Sequence, residues 1–190
     1  MNKIIALDIG NVCVTLRHDR ALAFLGYKVI EDVPEEFLQA TEMMERGFMT
    51  EDDWLNLFRK STGSTLKDDE LRHAWNLIIG ENINGMADAV KKAASKGFRM
   101  IFFSDTSELH SMRIYRTLSF AHLVSGAIFS FEEGAKKPES RMYEAFEGKY
   151  GKPCYYTDDM PQNIEAAIKR GWNAMIFKGA DDFSMAIDSL

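Results

Sequence analysis

Cysteine is scarce in this chain of 190 residues: there are two, Cys13 and Cys154. Two cysteines cannot build the multi-bridge framework of a small secreted domain, so a reduced, cytoplasmic compartment is the expectation. No stretch approaches 18 uncharged apolar residues, which argues against a helix that crosses a bilayer. Lys3 does precede an apolar run, but Asp8 interrupts it and no small-residue cleavage site follows, so a secretion signal is not expected. Positive charge is also in short supply. Lys and Arg number 23 against 29 Asp and Glu, a net charge of −6, which argues against a protein held on nucleic acid by phosphate contacts. A small phosphorylated molecule remains open, because a few local cations or a metal can bind one. Internal repeats and low-complexity segments are missing. Apolar residues, at 46%, are too many for a disordered chain. The length suits one domain, or one domain with an insertion, around an ordinary core.

Five short apolar runs read as strands: KIIAL (3–7), RMIFFS (99–104), AIFSF (127–131), CYYTD (154–158) and NAMIF (173–177). They are continuous rather than alternating, the pattern of strands covered on both faces. Helical patterns lie between them. MADAVKKAASKG (86–97) places Met86, Val90, Ala93 and Ala94 on one face and stops at Gly97. PQNIEAAIKRG (161–171) has Pro161 at its start and Gly171 at its end, the usual asymmetry of helix termini. Strands alternating with helices imply an α/β fold with a parallel, Rossmann-like sheet. Residues 16–85 differ. EDVPEEFLQATEMMERG, TEDDWLNLFRKSTG and KDDELRHAWNLIIG read as three or more amphipathic helices with no convincing strand. The expected organisation is a core of 1–15 and 86–190 with a helical insertion, a cap, at 16–85. The alternative is a sheet whose one side is thick with helices.

In an open parallel sheet, ligands bind outside the carboxyl ends of the strands. Those ends are acidic here. The first strand ends in Asp8, the second in Ser104–Asp105–Thr106, and the CYYTD strand in Asp158–Asp159, with Lys136 and Lys137 in the GAKKPES loop between. Carboxylates gathered at one edge repel one another unless a cation lies among them. Oxygen ligands together with a phosphate are what Mg²⁺ prefers.

These four segments, IIALDIG, IFFSDTS, KKPESRMY and YYTDDMPQN, occur in the order and at the spacings of the four motifs of the haloacid dehalogenase superfamily, which the chain resembles over residues 4–177. ERGFMTEDDW and LRHAWNLI also look like cap segments of bacterial sugar-phosphate phosphatases with an LGNV-type first motif, the α-glucose-1-phosphate phosphatase type. The resemblance implies a Mg²⁺-dependent phosphatase of a small phosphorylated metabolite, with a sugar phosphate as one candidate, working through an aspartyl phosphate. It implies that Asp8 is the nucleophile and a metal ligand, that the Gly10 carbonyl and Asp159 are metal ligands, and that Asp158 and Asn163 are candidates for the metal's outer shell. Ser104 and the backbone around Gly10 and Asp105 would bind phosphate. Lys137, set before Pro138, would neutralise nucleophile and phosphoryl group. Glu45, Arg46 and Trp75 are candidates for reading the substrate from the cap.

Gly10 departs from the family's usual pattern, in which an aspartate two residues after the nucleophile protonates the leaving alcohol. The LGNV-type enzymes share the departure. Asp158 is one candidate to stand in. Plainer readings compete at each position: a helix-cap role for Asp158–Asp159 before Pro161, packing for His110, Trp54 and Trp75, and a solvated helix face for Glu45 and Arg46. Two other functions fit parts of the pattern. A dehalogenase also uses an aspartate and needs no acid at position 10, but has no use for the pair Asp158–Asp159. A catalytically weak phospho-ligand-binding protein would tolerate both Gly10 and Asn163. The sequence leaves the oligomeric state open.

Overall fold

The computed structural model describes residues 3–190. In chain order its elements are β1 (Ile4–Leu7), β2 (Val14–Leu16), α1 (His18–Leu25), α2 (Glu35–Glu45), α3 (Glu51–Thr62), α4 (Asp68–Asn76), β3 (Ile79–Asn82), α5 (Met86–Ser95) and β4 (Arg99–Ser104). There follow α6 (Glu108–Thr117), β5 (Val124–Phe129), α7 (Ser130–Glu133), α8 (Ser140–Tyr150), β6 (Tyr155–Asp158), α9 (Pro161–Lys169), β7 (Ala174–Ile176) and α10 (Ala180–Ser189).

The sheet has the order β5-β4-β1-β6-β7, parallel throughout. All four residues of β1 are buried, because it lies at the centre with Ile5 beside Met100 on one flank and Tyr155 on the other. The period-2 alternation of a strand then sorts its side chains between two layers. Ile5 and Leu7 pack with Phe102, Val90, Met86 and Phe183 on one face. Ile4 and Ala6 pack with Phe103, Phe146, Tyr156 and Trp172 on the other. Phe103 is the hub of that second layer, its ring 5.2 Å from Tyr143 and 5.5 Å from Tyr156. The expected α/β fold with a parallel sheet is therefore the fold of the protein. The AIFSF run is shifted: the strand covers 124–129, and Ser130–Glu133 leave the sheet as a short helix.

The block between β2 and β3 carries its own apolar cluster of Val33, Phe37, Met44, Trp54, Leu55, Phe58 and Leu71. Phe37 and Trp54 lie 5.0 Å apart, and Trp54 and Trp75 lie 5.1 Å apart. One expectation fails here. The helix read through LIIG ends at Asn76, and Ile79–Asn82 pair antiparallel with Val14–Leu16 in a second, two-stranded sheet. The run Leu77–Ile78–Ile79 is rich in β-branched side chains, which favour a strand once a partner strand lies alongside.

Ion pairs join this block to the core. Lys136 Nζ lies 2.8 Å from both Glu42 and Glu45, and Arg46 lies 2.6 Å from Glu139. The Ser130 hydroxyl donates to the Glu45 carbonyl at 2.7 Å. The ion pairs are partly exposed, so each contributes at most about 1 kcal/mol; they set the position of α2 more than they hold it. No described helix is long and apolar enough to cross a membrane. Both cysteines are free.

Candidate active site

The site is built where β1, β4 and β6 end. Asp8 follows β1 and is nearly buried. Its backbone N–H donates to the Thr157 carbonyl at 3.2 Å, which ties it to β6. The chain then turns back at once: the N–H groups of Cys13 and Val14 both reach the Ile9 carbonyl, at 2.8 and 3.1 Å. Asn11 forms this turn with φ of 51°, a left-handed conformation that asparagine tolerates better than most residues. Its side-chain carbonyl accepts from Leu16 N–H at 3.2 Å, and its amide donates to Asp159 Oδ2 at 3.0 Å. Asn11 thus ties the turn after Asp8 to the acid after β6. Asn11→Ala combines backbone strain with two lost hydrogen bonds and is expected to destabilise the protein by about 2–3 kcal/mol. Asn11→Gly, which keeps the backbone at ease, should lose about half of that. Urea unfolding of the two variants checks the order.

Lys137 occupies the middle of the site. Its ammonium donates to Asp8 Oδ1 at 2.8 Å, to Asp158 Oδ2 at 2.6 Å and to the Phe103 carbonyl at 2.9 Å. Its backbone N–H donates to Asp105 Oδ1 at 2.9 Å. One residue therefore bonds to the ends of β1, β4 and β6. Burial favours its neutral form, but the carboxylates of Asp8, Asp158 and Asp105 outweigh that and hold the ammonium charged far above its ordinary range. Burial raises the Asp8 carboxyl to about 7, with Lys137 pulling it down and Asp158 pushing it up. Burial acts on Asp158 too, yet Lys137, Tyr156 and the Met160 N–H keep it below the usual carboxylate value. Asp105 is raised by burial against the pull of Lys137.

The two acids after β6 have different tasks. Both oxygens of Asp158 are engaged, by Lys137, by the Tyr156 hydroxyl, by Met160 N–H at 2.8 Å and by the Asn163 amide at 3.0 and 3.1 Å. With both oxygens already accepting from these donors, Asp158 has none left to turn toward a leaving group, which counts against it as a stand-in for the acid missing at position 10. Asn163 sits behind it as a donor; a carboxylate at this position would repel Asp158. Asp159 is half-exposed and meets only the Asn11 amide among the hydrogen bonds of the described residues.

Gly10 does not adopt a positive φ; in this turn it is Asn11 that does. A Cβ at position 10 would lie 2.9 Å from Leu16 Cδ1, the end of a flexible side chain that would have to move aside for an acid there.

One carboxylate oxygen each from Asp8, Asp158 and Asp159 lies within 4.8 Å of the others. Three carboxylates face a single ammonium, which leaves negative charge over. An all-oxygen set with neighbouring ligands a few ångströms apart suits a cation bound at about 2.0–2.1 Å. Asp8 and Asp159 are the members with oxygens to offer, and Mg²⁺ fits them.

A cavity of about 80 Å³ is walled by Gly10, Ser104, Asp105 and Thr106 from the core and by Leu16, His18, Glu45 and Trp75 from the other side; Asp105, which accepts from Lys137 N–H, links it to the cluster. Ser104 and Asp105 are where the sequence placed them. Glu45 and Trp75 do reach the cavity, but Arg46 does not: it is committed to Glu42 and Glu139. His110 is buried, stacked on Trp75 with ring centres 4.4 Å apart, and burial lowers it to about 4; it packs, as the plainer reading held. Sequence reasoning missed His18 and the roles of Asn11 and Tyr156. An asparagine straight after glycine was the available sign for Asn11. His18 carried none.

A sequence model of the family described as haloacid dehalogenase-like hydrolase matches residues 3–171. Compared with proteins of curated function, the chain matches none. Among solved structures it is similar to a HAD family enzyme, bt-2542, of Bacteroides thetaiotaomicron, with a TM-score of 0.84 and 18% identity over 97% of each chain. The wild-type protein of that name was also solved in complex with magnesium and inorganic phosphate; it matches with a TM-score of 0.82 and 20% identity, covering 98% of this chain and 99% of that one. A predicted HAD-like family hydrolase of Porphyromonas gingivalis matches with a TM-score of 0.79 and 16% identity, over 100% of this chain and 97% of that one.

Proposed function

The chain belongs to the haloacid dehalogenase-like hydrolase family, and from that premise we propose that it is a Mg²⁺-dependent phosphatase of a small phosphorylated metabolite, with residues 16–85 as its cap. The observation that carries this reading is Lys137 bonded at once to Asp8 and Asp158 beside the cluster of three carboxylates.

Asp8 attacks phosphorus in line with the leaving oxygen; the P–O bond to the alcohol breaks, the departing alkoxide takes a proton from solvent water, and an aspartyl phosphate forms. Water then attacks the phosphorus of that intermediate, releasing phosphate and restoring Asp8. Lys137 neutralises the nucleophile and the transferring group, and Asp158 with Asn163 and Tyr156 holds Lys137 in place. The Ser104 hydroxyl and the N–H groups around Gly10 and Asp105 donate to the phosphoryl oxygens. Asp8, Asp159 and the Gly10 carbonyl would hold Mg²⁺, which when bound offsets the charge of the carboxylates and of the phosphoryl oxygens. A metal-free dehalogenation could use Asp158 to hold Lys137 but has no use for the open Asp159 beside Asp8, and the neighbour solved with magnesium and phosphate supports the same choice.

Phosphate release from p-nitrophenyl phosphate and a panel of phosphorylated metabolites tests the reading. Chelation of the metal is expected to lower the rate about 100-fold or more. Mg²⁺ at about 100 times its dissociation constant should raise the melting temperature by about 5–10 °C. Turnover indifferent to chelation, with no metal-dependent shift in melting, would sink the proposal.

A further inference from the structure

A second cavity opens inside the helical block. It has a volume of about 220 Å³ and is walled mainly by Leu22, Leu25, Phe37, Trp54, Phe58 and Leu71. It shares His18, Glu45, Trp75 and Ile78 with the small cavity at Ser104 and Asp105, so the two lie against the same four residues. At its outer end stand Ile30 and Leu38, which are 46% and 36% exposed. An apolar cavity thus lies between an exposed mouth and the residues it shares with the phosphate end of the site.

Its few polar groups are engaged elsewhere. The Thr41 hydroxyl donates to the Phe37 carbonyl and accepts from Trp54 Nε1, both at 2.9 Å. Glu45 is paired with Lys136 at 2.8 Å. Only the His18 ring, among the described residues that line it, is a polar side chain engaged by no hydrogen bond. A polyhydroxylated ligand entering here would give up its bonds to water and find almost none in return. An alkyl or aryl body would lose nothing and would leave water. Trp75 is a preformed wall for it. The ring is stacked on His110 with an interplanar angle of 3°, its Nε1 donates to Ser107 Oγ at 3.2 Å, and its carbonyl meets His110 Nε2 at 2.9 Å. A ligand surface fixed before binding needs no ordering when the ligand arrives.

We propose that the alcohol part of the substrate is an apolar body, a short alkyl or aryl chain, seated in this cavity with its phosphate at Ser104 and Lys137. The proposal rests on the phosphatase reading and departs from the sugar phosphate that the sequence resemblance raised.

Two measurements with Mg²⁺ present test it. Hexyl phosphate and glucose 6-phosphate both release a primary alcohol, so their chemistry is matched and their bodies differ. kcat/KM should favour hexyl phosphate by about tenfold or more; equal values or the reverse overturn the proposal. Hexylphosphonate and methylphosphonate cannot be turned over, and calorimetry reads their binding alone. The hexyl compound should bind about tenfold more tightly or better. Leu38→Asp, at the exposed mouth, should bring the two within about threefold by weakening hexylphosphonate alone. Ala21→Phe, which fills the cavity from α1, should do the same. Equal binding by the unaltered protein overturns the cavity assignment and leaves the phosphatase reading standing. Failure of both phosphonates to bind overturns both.

Discussion

Asp8→Asn is expected to lower phosphate release by about 10⁴-fold or more while the protein stays folded. The amide keeps the shape and the oxygen that accepts from Lys137, but it is no nucleophile. Stability should move the other way. Burial holds the Asp8 carboxyl at about 7, above the 3.8 of an unperturbed aspartate. The native protein therefore binds a proton that the unfolded chain releases, and on account of Asp8 stability falls as pH climbs from about 4 to about 7. The asparagine variant lacks that loss. In EDTA it should be no less stable than the parent at pH 5 and more stable at pH 8, by urea unfolding. Turnover above one part in about a hundred of the parent's, or a variant that fails to fold at pH 8, would contradict the placement of Asp8 as nucleophile.

Lys137→Met should harm both activity and stability. The ammonium is the shared partner of two buried carboxylates and a backbone carbonyl. Removing one side of a buried ion pair leaves charge uncompensated, at a cost of about 3–5 kcal/mol, which is a large part of a typical stability of about 5–15 kcal/mol. The pH dependence identifies the cause. In the parent, Asp158 lies below its unfolded value, so its contribution is present above that value and is lost as pH falls through the folded one. Without Lys137 both carboxyls move up, the native state binds more protons than the unfolded chain, and stability rises as pH is lowered. The variant should therefore regain part of its deficit between pH 8 and pH 5 in EDTA. Lys136→Met is the control: its pairs with Glu42 and Glu45 are partly exposed, and its loss should cost less than about 2 kcal/mol with no such recovery. Similar behaviour of the two lysine variants would show that the charge balance of the site had been misassigned.

The β1, β4, β6 and β7 runs were legible because strands buried on both faces are unbroken apolar runs, and RMIFFS has the bounds of its strand. Pro161 and Gly171 marked the helix after β6 for local reasons that act before any packing. The acids at the sheet edge were legible too, since each closes or follows a strand, whereas Lys137 comes after the short helix α7 and was marked by its place before Pro138. LIIG was misread because Ile79–Asn82 gain their partner from Val14–Leu16, more than sixty residues away in sequence.

The sequence by itself thus determined the sheet, its acidic edge and the residue types gathered there, because periodicity and strand ends are local properties. Only the tertiary structure decided how those residues divide the work. It spent the oxygens of Asp158 on Lys137 and left Asp159 open. It filled the space beside Gly10 with Leu16 and turned Arg46 away to Glu139. It also set an apolar cavity beside the one at Ser104 and Asp105, with His18 and Trp75 lining both. Each of these depends on which side chains meet across the fold, and distances between segments far apart in sequence are not written in any one of them.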